Sequence, residues 1–141
     1  MFFSLFLFLT VNTTSSIIEE VVHLSLNLDY EKTSRNKLFD QSQHRIYARI
    51  VNKSDYVYAY HDFNFRLFMY KNGSWDVLNP VITGFFPILI PPLYIYPGET
   101  ESVSFLLDIY GHLSSGEYKI EIEVLRKDQT EAKNLYLTIT F

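Results

Sequence analysis

Residues 110–124 read Tyr-Gly-His-Leu-Ser-Ser-Gly-Glu-Tyr-Lys-Ile-Glu-Ile-Glu-Val, and the fold turns on how this stretch is understood. Its glutamates Glu117, Glu121 and Glu123, with His112 upstream, suit acid–base chemistry. They suit equally the wet side of a β-strand whose other side is Tyr118, Ile120, Ile122 and Val124. Strict alternation of apolar and polar residues is the period-two signature of a half-buried strand. On that reading the glutamates face water, and "LSSGEY" is the corner that delivers the strand.

The same period extends outward in both directions. Leu24, Leu26 and Leu28 share a face against His23, Ser25 and Asn27, and Ile46, Ala48 and Ile50 share another. Val103, Phe105 and Leu107 alternate again, as do Leu135, Leu137, Ile139 and Phe141. Asn72-Gly73 is a strong hairpin signal, because both turn residues must accept positive φ. It joins the aromatic segment 56–70 to a returning strand, "SWDVL". In segment 56–70, Phe63, Phe65, Leu67 and Met69 are expected on one side. Tyr56, Tyr58, Tyr60, Phe68 and Tyr70 are expected on the other. Residues 31–43 are polar and read as a connection. Segment 79–99 holds Pro80, Pro87, Pro91 and Pro92, so it suits an edge or a wandering segment, since proline lacks a ladder donor. About seven strands and no amphipathic helix predict an all-β antiparallel sandwich.

Composition narrows the chemistry. The chain has 141 residues, enough for one domain with a sizeable core, and 17% of them are aromatic. A net charge of −4 without any Lys/Arg cluster argues against nucleic acid as partner. The absence of cysteine excludes disulfides and thiolate metal sites. The four histidines show no metal-ligand spacing, and His61-Asp62, as strand neighbours, point to opposite faces. No nucleophile elbow or phosphate-cradling loop is present, so neither a catalytic residue nor a cofactor is expected. Residues 1–16 open with the apolar run "MFFSLFLFLTV", too short to span a bilayer but of signal-peptide length, with small polar residues after it. The expectation is a signal peptide over 1–16, a domain over 17–141, and no integral span in the mature chain.

"GEYKI" at 116–120 looks like the tyrosine corner of immunoglobulin-type sandwiches. The wider pattern adds Asn52 and Ser54 after an early strand, Trp75 past a hairpin, and a Pro97-Gly98-Glu99 turn. Leu113, Gly116, Tyr118 and Lys119 follow in order. Over residues 45–125 this resembles the bacterial immunoglobulin-like domain family. The resemblance implies an immunoglobulin-like β-sandwich with Trp75, Gly98, Gly116 and Tyr118 as structural positions. It also implies a secreted or cell-envelope location and a non-enzymatic binding or structural role. The late Pro-Gly-Glu and Gly-x-Tyr rhythm is shared with a proteinase-inhibitor type of sandwich, which suggests an alternative role through an exposed loop at 79–97. Candidate partner-binding residues, for a protein or a cell-wall glycan, are Tyr56, Tyr58, Tyr60, Phe68 and Tyr70. Phe85, Phe86 and Ile88 in the proline-rich loop join them.

Overall fold

A computed structural model of the chain describes residues 23–39, 45–81 and 91–141. The positions Phe85, Phe86 and Ile88, and the expected signal peptide, lie outside the described residues. Within them are eight strands, β1 (Leu24–Leu28), β2 (Arg45–Asn52), β3 (Tyr58–Lys71), β4 (Ser74–Val77), β5 (Leu93–Ile95), β6 (Thr100–Leu106), β7 (Glu117–Arg126) and β8 (Lys133–Thr140). One helix, α1 (Tyr30–Phe39), joins β1 to β2, and a 3-10 turn (Leu107–Tyr110) follows β6.

All pairings are antiparallel, and the strands form two sheets. Sheet I has the order β1-β2-β6. Sheet II has the order β4-β3-β7-β8, with β5 also paired to β3. In immunoglobulin lettering these orders are A-B-E and C′-C-F-G, so the all-β sandwich expected from alternation is the fold of the chain. The eighth strand, β5, is the three-residue piece that the prolines left looking irregular. It pairs with β3 over Tyr58–Tyr60, while β4 pairs with β3 over Phe68–Lys71. The inner faces supply the core: Leu26, Ile46, Ile50 and Phe105 from sheet I meet Leu67, Ile120, Ile122 and Leu137 from sheet II. Each such side chain contributes about 1.5–3 kcal/mol through burial.

Residues 30–39 depart from the expected connection by forming α1. Its cause is local. Asp29 Oδ1 accepts the Lys32 N–H at 3.0 Å and its carbonyl accepts the Thr33 N–H at 3.0 Å, so Asp29 caps the helix. The buried Thr33 hydroxyl then docks α1 on β2, accepting the Tyr47 N–H at 2.9 Å and donating to the Tyr47 carbonyl at 3.3 Å. The Lys32 ammonium adds a contact with the Tyr47 ring at 4.7 Å; polar holds of this kind leave no periodic signal in the sequence.

Two turns carry the motif residues. Tyr118 is buried, and its hydroxyl donates to the Ser114 carbonyl at 2.6 Å while its ring packs on Phe141 at 5.5 Å. This is the tyrosine corner. Gly116 exchanges backbone hydrogen bonds with Phe141, and a Cβ there would sit 3.2 Å from Met69 Cε. At the opposite end Asn52 is 0% exposed. Its Nδ2 donates to the carbonyls of Tyr56 at 2.8 Å and Ile95 at 3.2 Å, and its Oδ1 accepts the Ser54 N–H at 3.0 Å and hydroxyl at 2.6 Å. The Asn52 carbonyl accepts the N–H of Gly98, which has φ +81° in the Pro97-Gly98 turn. The Asn-x-Ser triplet at 52–54 is thus an internal brace and is closed to glycan attachment.

Replacing Tyr118 by Phe should lower unfolding stability by about 1 kcal/mol, since one hydrogen bond is lost and the exposed Ser114 can turn to water. Asn52→Ala should cost about 3 kcal/mol, because several buried partners are stranded together. Urea denaturation followed by circular dichroism checks both; the expected order is Asn52→Ala well below Tyr118→Phe.

Candidate partner-binding face

Strand β3 is where the expected aromatic row breaks. Tyr58 is 2% and Tyr60 is 4% exposed, in the core with Phe65 and Leu67, whereas Phe68 is half-buried and Tyr70 is open to solvent. Even positions point inward before the break and odd positions after it. The cause is a bulge: five steps along β3, from Tyr60 to Phe65, span two along β7, from Val124 to Ile122. An odd number of extra residues reverses which face every later side chain takes. Tyr58 and Tyr60 are therefore core residues and not available to a partner. Burial raises the pKa of Tyr58, with a hydrogen bond to Ser54 opposing.

After the bulge, β3 turns Arg66, Phe68 and Tyr70 outward. The hairpin at Asn72 (φ +51°) and Gly73 (φ +83°) returns Trp75 opposite Tyr70 and Val77 opposite Phe68. On the other side of β3, Lys119 lies opposite Phe68, Glu121 opposite Arg66, and Tyr136 of β8 opposite Glu121. One outer face thus gathers Trp75, Tyr70, Phe68 and Tyr136 around Lys119 and an Arg66–Glu121 pair. Tyr70 and Trp75 are in contact with ring centroids 5.1 Å apart. The Lys119 ammonium lies 4.6 Å from the Phe68 centroid, 5.0 Å from Trp75 and 5.1 Å from Tyr136.

Glu121 departs from expectation: its side chain is 6% exposed and ion-paired to Arg66 Nη2, whose own side chain stays 60% exposed. Large neighbours cover the carboxylate, so the alternation that put it on the outer side did not put it in water. Glu123, one position further along the same side, is exposed as expected. Burial draws the Lys119 pKa down, the Glu121 carboxylate opposes this, and Arg66 adds to it. Burial also raises the Tyr136 pKa, helped by Glu121.

Tyr56 belongs elsewhere, at the end of the sandwich near Asn52, where the Arg126 guanidinium sits 3.9 Å from its ring centroid and pairs with Asp128 at 2.6 Å. Trp75, expected as a structural position, lies on the outer face beside Phe68 and Tyr70. Gly98 and Gly116 serve the turns. Among the described residues no three His, Asp or Glu side chains group to hold a metal ion, and no helix is long and apolar enough to cross a membrane. The outer face of sheet I is mostly polar, turning out Ser25, Asn27, Arg49, Ser102 and Ser104 beside Tyr47, Val51 and Leu106. Arg66, Lys119, Glu121 and Tyr136 are not among the binding residues expected from the sequence, because only the cross-strand register brings them beside Phe68 and Trp75. No protein-family model matches the chain, and no curated protein matches it.

Arg66→Ala should destabilise the domain more than Glu121→Gln, because the first leaves a covered carboxylate without its partner and the second removes the charge itself. The exposure of Arg66 limits the Arg66→Ala loss to about 1 kcal/mol. Thermal unfolding of both variants and of the double substitution checks this; the double should resemble Glu121→Gln.

Proposed function

We propose that the chain is a non-enzymatic, exported immunoglobulin-like module of the bacterial cell envelope, and that it binds a partner through the outer face of sheet II. One observation carries the reading: rings cluster on the outer face of sheet II, whereas the outer face of sheet I is mostly polar and carries the single ring of Tyr47. Clustered Tyr, Trp and Phe beside Arg is the composition of recognition surfaces, where large rings supply contact area at low conformational cost. Export rests on the apolar run and small polar residues at 1–16. The inhibitor alternative rests on the loop at 79–97, whose residues 82–90 lie outside the described residues, and no observation favours it.

Cell fractionation with N-terminal sequencing tests the export half, and the expected mature chain begins near Ile17 in an envelope or secreted fraction. Trp75→Ala and Tyr136→Ala, each checked for native unfolding behaviour, test the face. Retention of the domain by isolated envelopes should drop at least ten-fold in both, whereas Arg49→Ala on sheet I should change nothing. Equal retention of all three variants would remove the face from the account.

A further inference from the structure

The ring cluster around Lys119 differs from the other cation–ring contacts among the described residues. In the Lys32–Tyr47, Lys127–Tyr94, Arg126–Tyr56 and Arg66–Phe68 pairs, the cation meets one ring; in the last of these it is the Phe68 ring that Lys119 also meets. At Lys119 rings from β3, β4 and β8 all lie within 5.1 Å of one nitrogen. Ring faces carry partial negative charge, and several converging on one point form a site complementary to a cation. A carboxylate, Glu121, stands on the same side chain row and adds to the attraction.

The resident cation is poorly suited to its seat. A lysine ammonium has three N–H donors and is strongly hydrated, so ring walls that offer no acceptor strip water from it without replacement. The exposed Arg66 guanidinium next to it adds repulsion, smaller than the attraction of the Glu121 carboxylate, so lost hydration is what weighs against the lysine. A quaternary ammonium carries the same charge with no N–H to leave unsatisfied, and its methyl groups meet ring faces favourably. Lys119 hangs on a flexible four-carbon stem and can swing aside at the cost of its contacts with three rings.

We propose that Phe68, Trp75 and Tyr136 form a recognition site for a quaternary ammonium group of the choline type, occupied by Lys119 in the free protein and vacated when ligand enters. The proposal rests on the reading of sheet II's outer face as the binding surface and names the chemistry that surface selects. Lys119 acts as a built-in competitor: free protein binds with an affinity reduced by the fraction of time the lysine fills the site.

Trp75 is the sole tryptophan of the chain, so its fluorescence reports the site directly. The full chain is titrated with tetramethylammonium chloride and with choline chloride at constant ionic strength, against sodium chloride. A saturable change with both ammonium salts, absent with sodium, is expected. Lys119→Ala and the strand-compatible Lys119→Thr should both bind at least about five-fold more tightly, since each removes a resident cation that competes for three rings. Tyr136→Ala should bind at least five-fold more weakly. Co-sedimentation with phosphatidylcholine and with phosphatidylglycerol vesicles, comparing the unaltered chain with Tyr136→Ala, separates the sources. Phosphatidylcholine binding that depends on Tyr136 assigns a lipid headgroup, and its absence alongside choline binding assigns a soluble or polymer-borne choline. If neither the unaltered chain nor either Lys119 variant distinguishes tetramethylammonium from sodium, the proposal is overturned. Loss of envelope retention in Trp75→Ala would then still stand for a face that binds a different chemistry.

Discussion

The side-chain amide of Asn52 is the point at which the two sheets become one structure. It leaves the last residue of β2 in sheet I, yet its donors end on Ile95 in β5 of sheet II and on Tyr56 just ahead of β3. Its acceptor holds Ser54, and its backbone holds Gly98 and Glu99. A buried amide with all its hydrogen-bonding groups engaged is specific in direction as well as in energy, which apolar packing is not. Leu, Ile and Val across the sandwich supply most of the stability, but many registers of the two sheets would bury them. Asn52 admits one of these arrangements, since a shift by a residue strands several polar groups at once.

The brace has consequences for the face at the far side of sheet II. With the start of β3 fixed beside Asn52, Tyr58 and Tyr60 point into the core, and the strand must change phase to continue. The bulge between Tyr60 and Phe65 makes that change, putting Phe65 and Leu67 inward and Arg66, Phe68 and Tyr70 outward. Without the phase change, Phe68 and Tyr70 would join the core and the aromatic face would not exist. The hairpin at Asn72-Gly73 then sets Trp75 opposite Tyr70, and β7 sets Lys119 opposite Phe68. Fold and candidate site are thus coupled through one irregularity in one long strand.

Much of the fold was legible because alternation and turn chemistry act locally. "EYKIEIEV" announced β7, Asn-Gly announced the hairpin, and Gly-x-Tyr announced the corner that Tyr118 closes on Ser114. What escaped was set by contacts distant in sequence. The bulge changes phase within β3, but an uninterrupted period is what the residues alone suggest, so Tyr58 and Tyr60 looked like surface. Glu121 looked wet because alternation reports the side of a sheet and not what neighbours cover it. Helix α1 was hidden because the Asp29 cap and the Thr33 hydroxyl that docks it on β2 are polar contacts with no periodic signal. Phe68 and Tyr70 were legible as candidates, whereas Lys119, Arg66 and Tyr136 required the register of three strands to bring them together.

Native-state hydrogen exchange tests the bracing role of Asn52 most directly. The amides of Asn52, Ser54, Tyr56 and Gly98 donate within the brace to Glu99 O, Asn52 Oδ1, Ser54 Oγ and Asn52 O. Three of them lie in turns, where exchange normally proceeds by local opening at little cost. If Asn52 joins the sheets, these amides exchange only through global unfolding, with the same opening free energy as Ile120 and Ile122 in β7. Exchange of Ser54 and Gly98 at the rate of the exposed Asn72-Gly73 hairpin would contradict that role.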